Sequence, residues 1–162
     1  MAKVELRYQR VSDAKRYYEI LNHPDFIYFD VKPKSIEEER KYLKENPKRR
    51  KDNFVHNYAI IYTGKMVGGC GIKVDQHSIN SAELGYFIDR DYWGNEIAPK
   101  ALRLLEKIAT NRLGIERMSL YIKPKNRASI RVAQKAGYTR EGKIKTRKDG
   151  KIIYYILYGK VK

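Results

Sequence analysis

The sequence has one cysteine, Cys70, in 162 residues, so no intrachain disulfide can form. Its three histidines, His23, His56 and His77, lie far apart with no Cys or second His at ligand spacing, which argues against a structural zinc site. Long apolar runs are missing. Stretches such as Tyr58-Ala59-Ile60-Ile61-Tyr62 are strand-sized, and Met1-Ala2-Lys3-Val4-Glu5 has no apolar signal core, so the sequence predicts a cytoplasmic chain without a membrane partner. Internal repeats, linkers and low-complexity tracts are absent, as are a Walker A loop and a dinucleotide GxGxxG fingerprint. Cys70 itself, within Val67-Gly68-Gly69-Cys70-Gly71-Ile72, reads as a small buried strand residue rather than a nucleophile.

Acid is also scarce, with 19 Asp and Glu against 35 Lys and Arg and a formal net charge of +16. The imbalance is local. Residues 1–98 carry 17 cations and 15 acids, whereas residues 99–162 carry 18 and 4, so +14 of the surplus falls in the second part. Such asymmetry points to an anionic partner there, whether a phosphorylated cofactor, a nucleic acid or an acidic surface; a solubilising lysine-rich face explains it equally well. What the chain does have is material for a core. At 42% hydrophobic and 12% aromatic, with 14 Tyr along its length, it is predicted to fold as one domain over residues 1–162 without a metal or disulfide.

Local patterns set the elements. Val4–Tyr8 alternates like a strand, and Ser12 is expected to cap a helix to about Leu21 that His23-Pro24 ends. Ser35-Ile36-Glu37-Glu38 forms a capping box for a second helix to about Glu45, with Asn46-Pro47 as its stop. Lys48-Arg49-Arg50-Lys51 then reads as a basic, solvated loop, with a nucleic-acid contact as the sharper alternative. Phe54–Tyr62 and Lys65–Asp75 read as strands about a turn at Thr63-Gly64, and Ala82–Ile88 as a third. Residues 97–110 switch to helical period, Met118–Ile122 is a strand, and Ser129–Ala136 is a short helix closed by Gly137. A final hairpin, Ile144–Tyr158, turns at Asp149-Gly150. The order βααβββαβαββ makes this an α+β domain, a mixed, mostly antiparallel central sheet with helices on both faces.

The strand-loop-helix run from Glu83 to Ala98 has the geometry of an anion site, because free backbone N–H groups at a helix start hold phosphate. Three motifs carry more. Glu83-Leu84-Gly85-Tyr86, Tyr92-Trp93-Gly94-Asn95-Glu96-Ile97-Ala98 and Asn126-Arg127-Ala128-Ser129 through Lys135-Ala136-Gly137-Tyr138 resemble the GCN5-related N-acetyltransferase (GNAT) family. Within it they are most similar to the RimJ/RimL branch, which acetylates protein N-termini, including those of ribosomal proteins. The resemblance implies acetyl-CoA as co-substrate and direct transfer to an amine, with no covalent enzyme intermediate. It also implies that the strand before the loop splays from Met118–Ile122, accepting the pantetheine arm near Ile88. Gly94–Ala98 would take the pyrophosphate after Trp93, a residue common in this branch. Asn126 would hydrogen-bond the cofactor near its thiol end.

Two catalytic roles remain. A base must take a proton from the amine, and Glu83 is the candidate, acting directly or through water. Many family members place an acidic Tyr seven residues after the Asn, where this chain has Ala133. Ser129 is then the candidate donor to the departing thiolate, with water positioning and oxyanion stabilisation as alternatives. One residue departs from the family loop, which reads Gln/Arg-x-x-Gly-x-Gly/Ala: Glu96 stands in place of the central Gly. Aimed inward, a carboxylate ~4 Å from a phosphate charge at an effective dielectric near 20 costs about 4 kcal/mol; turned to solvent it costs little.

The implied function is an acetyl-CoA-dependent N-acetyltransferase for a primary amine, a protein N-terminus of ribosomal-protein type before a small amine acceptor. The alternatives are a weak or inactive scaffold contacting RNA or the ribosome through its basic C-terminal half, and a polyamine N-acetyltransferase. A chain of charge +16 repels a polycation, which disfavours the last. Monomer and homodimer both fit the sequence.

Overall fold

The computed structural model describes residues 2–29 and 32–162. Strand β1 (Val4–Tyr8) leads through a 3₁₀ turn into α1 (Ala14–Leu21), α2 (Ile36–Lys44) and α3 (Asn46–Lys51). Then follow β2 (Val55–Tyr62), β3 (Lys65–Val74), β4 (Ser81–Ile88), a second 3₁₀ turn, α4 (Ile97–Leu113), β5 (Arg117–Ile122), α5 (Arg127–Lys135), β6 (Thr139–Lys148) and β7 (Lys151–Val161). The strands form one sheet in the order β1-β2-β3-β4-β5-β7-β6. Both two-residue turns fall where predicted. Thr63 (φ 50°) with Gly64 (φ 82°), and Asp149 (φ 50°) with Gly150 (φ 76°), give the left-handed pair that matches the twist of a hairpin.

Alternation along each strand separates two packed faces. On one, Ile60, Ile72, Leu84, Met118 and Leu120 meet α4, whose Ala101, Leu102, Leu105 and Ala109 recur at helical spacing and are fully buried. On the other, Ala14, Tyr17 and Leu43 from α1 and α2 pack on Ala59, with Phe87 beside them. Helices thus cover both faces, as predicted.

Four boundaries differ. Ser12 does not cap α1: it lies within the 3₁₀ turn Val11–Asp13, and the N-terminal role passes to Asp13. The Asp13 carboxylate accepts from the Arg10 amide at 2.8 Å and from both terminal nitrogens of Arg7 at 2.9 Å, a charged fork that a serine hydroxyl cannot supply. The expected basic loop is helix α3, because Pro47 sits in its first turn, where a missing N–H costs nothing. Two of its cations are committed to packing, with the guanidinium carbons of Arg49 and Arg50 each 4.0 Å from the ring centres of Tyr42 and Tyr8. Helix α5 starts at Arg127 rather than Ser129, since Asn126 is its N-cap. The final hairpin also runs further at both ends than Ile144–Tyr158.

One break in the sheet prepares the site. Strands β4 and β5 pair in parallel only through Ser81 with Arg117, Ala82 with Met118 and Glu83 with Ser119. Beyond that point β4 stays on β3 as far as Gly68 with Ile88, and β5 stays on β7 as far as Ile122 with Ile156. Each keeps its outer partner and leaves the inner one, so a wedge opens in the sheet's middle.

Candidate active site

The wedge opens into a cavity of about 420 Å³, within the ordinary range for small-molecule sites. Ile88, Trp93, Gly94, Asn95, Glu96, Ile97, Ala98, Asn126 and Ser129 all line it. The candidate residues of two stretches distant in the chain, 88–98 and 126–129, therefore converge. Glu83 is the exception and is not among the lining residues.

The loop after β4 is held from below. Buried Asp89 accepts from the Asp91 amide at 3.0 Å and pairs with Arg16 of α1, while its own amide donates to the Val67 carbonyl at 2.7 Å. The Trp93 indole N–H donates to the Ile88 carbonyl at 2.9 Å, and Arg90 lies over the indole with its guanidinium carbon 4.9 Å from the ring centre. The Ile88 carbonyl, near which the pantetheine arm is expected, is thus engaged by the chain itself. Gly94 adopts φ 83°, a left-handed conformation that glycine takes without strain.

Glu96 is the N-cap of α4 and sits at φ 59°, ψ 24°, with no capping hydrogen bond from its side chain. The left-handed backbone explains why glycine suits this position, since a side chain there costs about 1–2 kcal/mol. Glu96 is exposed and makes no ion pair among the described residues, so its carboxylate sits in water at the cavity mouth. The first amides of α4, including those of Ile97 and Ala98, have no helical acceptor and face the same cavity.

Opposite the loop, the Asn126 side-chain oxygen accepts from the Ser129 amide at 3.2 Å. Its amide nitrogen is the part left to meet a ligand. The Ser129 hydroxyl oxygen accepts from the Tyr86 hydroxyl at 3.2 Å. Burial pushes the Tyr86 phenol up, only partly offset by Ser129, so it stays protonated as a donor. Ala133, fully buried, lies in the core below.

Glu83 occupies the last paired position before the strands part, on the sheet face opposite Tyr86. Burial pushes its carboxyl up; Lys73, its partner across β3, and Lys148 from the hairpin pull in the other direction without cancelling the rise. The structure therefore places the candidate base on one side of the wedge and the candidate donor on the other.

Sequence reasoning missed two contributions. Tyr86 was within reach, because it shares β4's parity with Leu84 and Ile88. The segment Phe26–Phe29 crosses the cavity, with the Tyr28 hydroxyl donating to the Lys125 carbonyl at 3.3 Å and Arg90 bonding Asp25 at 3.2 Å. Its signal was an apolar run just past a helix stop.

The residues present fit acetyl-CoA. A strand edge without an inner partner, free helix amides and the cations Arg131 and Lys135 on the cavity wall suit an extended amide arm ending in phosphates. Among the described residues no group of His, Cys, Asp and Glu could hold a metal ion, and no helix is long and apolar enough to cross a membrane.

Residues 3–139 match the family model described as an acetyltransferase (GNAT) domain. An uncharacterized protein, YkkB of Bacillus subtilis, is 30% identical over 83% of this chain and 81% of its own length. A probable N-acetyltransferase of the same organism, YjcK, is 28% identical over 67% of this chain and 61% of its own. Among solved structures, Mycobacterium smegmatis RimJ in complex with CoA-disulfide superposes with a TM-score of 0.87 at 20% identity, covering 98% of this chain and 81% of that one. An acetyl transferase from Salmonella typhimurium that modifies the N-terminal serine of ribosomal protein L7/L12 gives 0.85 at 22%, covering 98% and 95%. With the splayed strands, the amide cradle and a family match over most of its length, the chain belongs to the GCN5-related N-acetyltransferases and uses acetyl-CoA as its acyl donor.

Proposed function

We propose that the acceptor is the N-terminal amine of a protein, in the manner of the RimJ- and RimL-type neighbours, and that the enzyme works in the cytoplasm. The observation that carries this reading is the position of Glu83. It stands where β4 and β5 part, on the sheet face it shares with Phe87 and outside the lining of the cofactor cavity, with Lys73 and Lys148 near it. A single amine can approach a carboxylate so flanked. A polyamine brings further positive charges toward two lysines and is repelled.

Acetyl-CoA supplies the activated acyl group; the remaining work falls to side chains. Glu83 accepts the proton of the acceptor ammonium, directly or through water, from its own face of the sheet. Its raised pKa brings it nearer to neutrality, which suits a general base. On the other face Ser129 receives a hydrogen bond from Tyr86, so its own proton is free to point toward the departing sulfur. Asn126 fixes the helix start that carries Ser129. The exposed position of Glu96 leaves the amide cradle open to phosphate.

Thiol release measured on Ser- and Ala-initiated peptides beside spermidine tests the acceptor. Turnover with the peptides and little with spermidine is expected. Strong turnover with spermidine and none with any peptide overturns the assignment.

A further inference from the structure

The cofactor cavity draws cations from α5, Arg131 and Lys135, and none from β6. The positive charge along the other face of β6 is therefore left without a use. Lys143, Lys145 and Arg147 stand at alternate positions of β6, an edge strand whose one neighbour is β7. The register sets them beside Ile156, Tyr154 and Ile152, on one face. With a rise of ~3.4 Å per residue, the three cations form a row about 7 Å apart.

The row is exposed, and Tyr154 and Ile152 beside it are exposed too, at 48% and 46%. The Lys145 ammonium lies 5.9 Å from the Tyr154 ring centre. Lys148 and Lys151 close the turn, and Asp149 is the single acid from Gly142 to the end of the chain. At the hairpin's base cations are paired, Arg117 with Glu141 and Lys160 with Glu106. Along the arm none of Lys143, Lys145, Arg147 and Lys151 has a carboxylate partner among the described residues, while Lys148, on the opposite face, acts on Glu83. A line of exposed cations next to an exposed aromatic ring is the combination that holds a polyanion whose charges alternate with flat bases.

We propose that this face of the β6–β7 hairpin is a docking surface for single-stranded RNA, with phosphates along Lys143, Lys145 and Arg147 and a base stacked on Tyr154. An acidic protein segment would use the cations and have no need of the ring, which is why the tyrosine favours RNA. The proposal is independent of which amine the enzyme acetylates.

The test is fluorescence anisotropy of a labelled, mixed-sequence twelve-nucleotide RNA titrated with the full chain at several salt concentrations. A poly-glutamate peptide of equal charge is run beside it. Three phosphate contacts on a single strand contribute about 2 to the slope of log affinity against log salt, and K143E/K145E/R147E should lose that much. Tyr154→Ala should weaken binding about five-fold or more while leaving the slope unchanged. The neutral K143Q/K145Q/R147Q should fall between wild type and the reversed-charge variant. Circular dichroism and peptide acetylation by each variant report that the fold is kept. RNA binding that keeps its wild-type affinity and slope in K143E/K145E/R147E overturns the proposal, as does absence of binding at low salt. Poly-glutamate binding as tight as RNA, with no effect of Tyr154→Ala, overturns it in favour of an acidic protein partner.

Discussion

At Glu83 two influences compete, burial raising its pKa and two lysines lowering it, and burial prevails. If this carboxylate is the base, the acid limb of kcat/KM lies above the ordinary Glu range, because the group must lose its proton before it can accept one. Glu83→Gln should lower kcat/KM by about 10²–10³ and abolish that limb. Lys148→Ala removes a cation that favours the ionised form and should move the limb to higher pH, which a pH profile of peptide acetylation reads directly. The Tyr86–Ser129 pair allows a second test. Ser129→Ala leaves the half-buried Tyr86 phenol without its partner and should cost about 0.5–1.5 kcal/mol in urea unfolding as well as lowering kcat. Adding Tyr86→Phe removes the stranded hydroxyl, so the double variant should recover stability but not kcat. Glu96→Gly should relieve the left-handed strain, which favours the fold, and the solvent-screened remainder of the phosphate repulsion, which acts on affinity. Acetyl-CoA binding by calorimetry is expected to tighten about three- to ten-fold, with the gain shrinking in high salt. Ser129 and Glu96 were legible by type and spacing; their partners were not, because Tyr86 reaches Ser129 from 43 positions earlier in the chain.

Elements were legible wherever their signals are local. Ser35 does cap α2, its hydroxyl accepting from the Glu38 amide at 3.0 Å, and the two hairpin turns follow from their own residues. Helix α3 was not legible as a helix, since Asn-Pro marks both stops and starts and only tertiary contacts decide. Asn46 shows what decides here. It is 1% exposed, its amide nitrogen donates to Gln9 at 2.9 Å, and its oxygen accepts from Arg49 and Asn57, each at 3.0 Å. One side chain thereby ties the loop after β1 and strand β2 to the start of α3. Asn46→Ala leaves the half-buried side chains of Gln9, Arg49 and Asn57 each one hydrogen bond short and should cost about 1–3 kcal/mol in urea unfolding, while acetyl-CoA affinity stays as it was. The β4–β5 wedge was likewise invisible as local pattern, because it arises from where two strands stop pairing; family resemblance supplied it.

For the whole molecule, the net charge of +16 divides into separate jobs once the fold is known. Some cations pack on rings, as Arg49 and Arg50 do, some pair at the hairpin base, and Arg131 and Lys135, one turn apart on α5, line the cofactor cavity. Sequence alone gave the size of the surplus but not this division, since residues distant in the chain share one face. The division has a measurable consequence for cofactor binding. Reversing Arg131 and Lys135 to Glu places two negative charges beside the phosphates and should weaken acetyl-CoA binding at least about ten-fold at low salt, with a smaller loss near 0.5 M salt as screening shortens the reach of each charge. Reversing Lys143, Lys145 and Arg147 changes the net charge by more yet leaves the cavity wall intact, so acetyl-CoA affinity should move by less than about two-fold. Calorimetric titration of both variants at two salt concentrations separates the cases. Equal weakening by the two would mean that the cofactor senses the molecule's overall charge rather than the particular cations on its cavity wall.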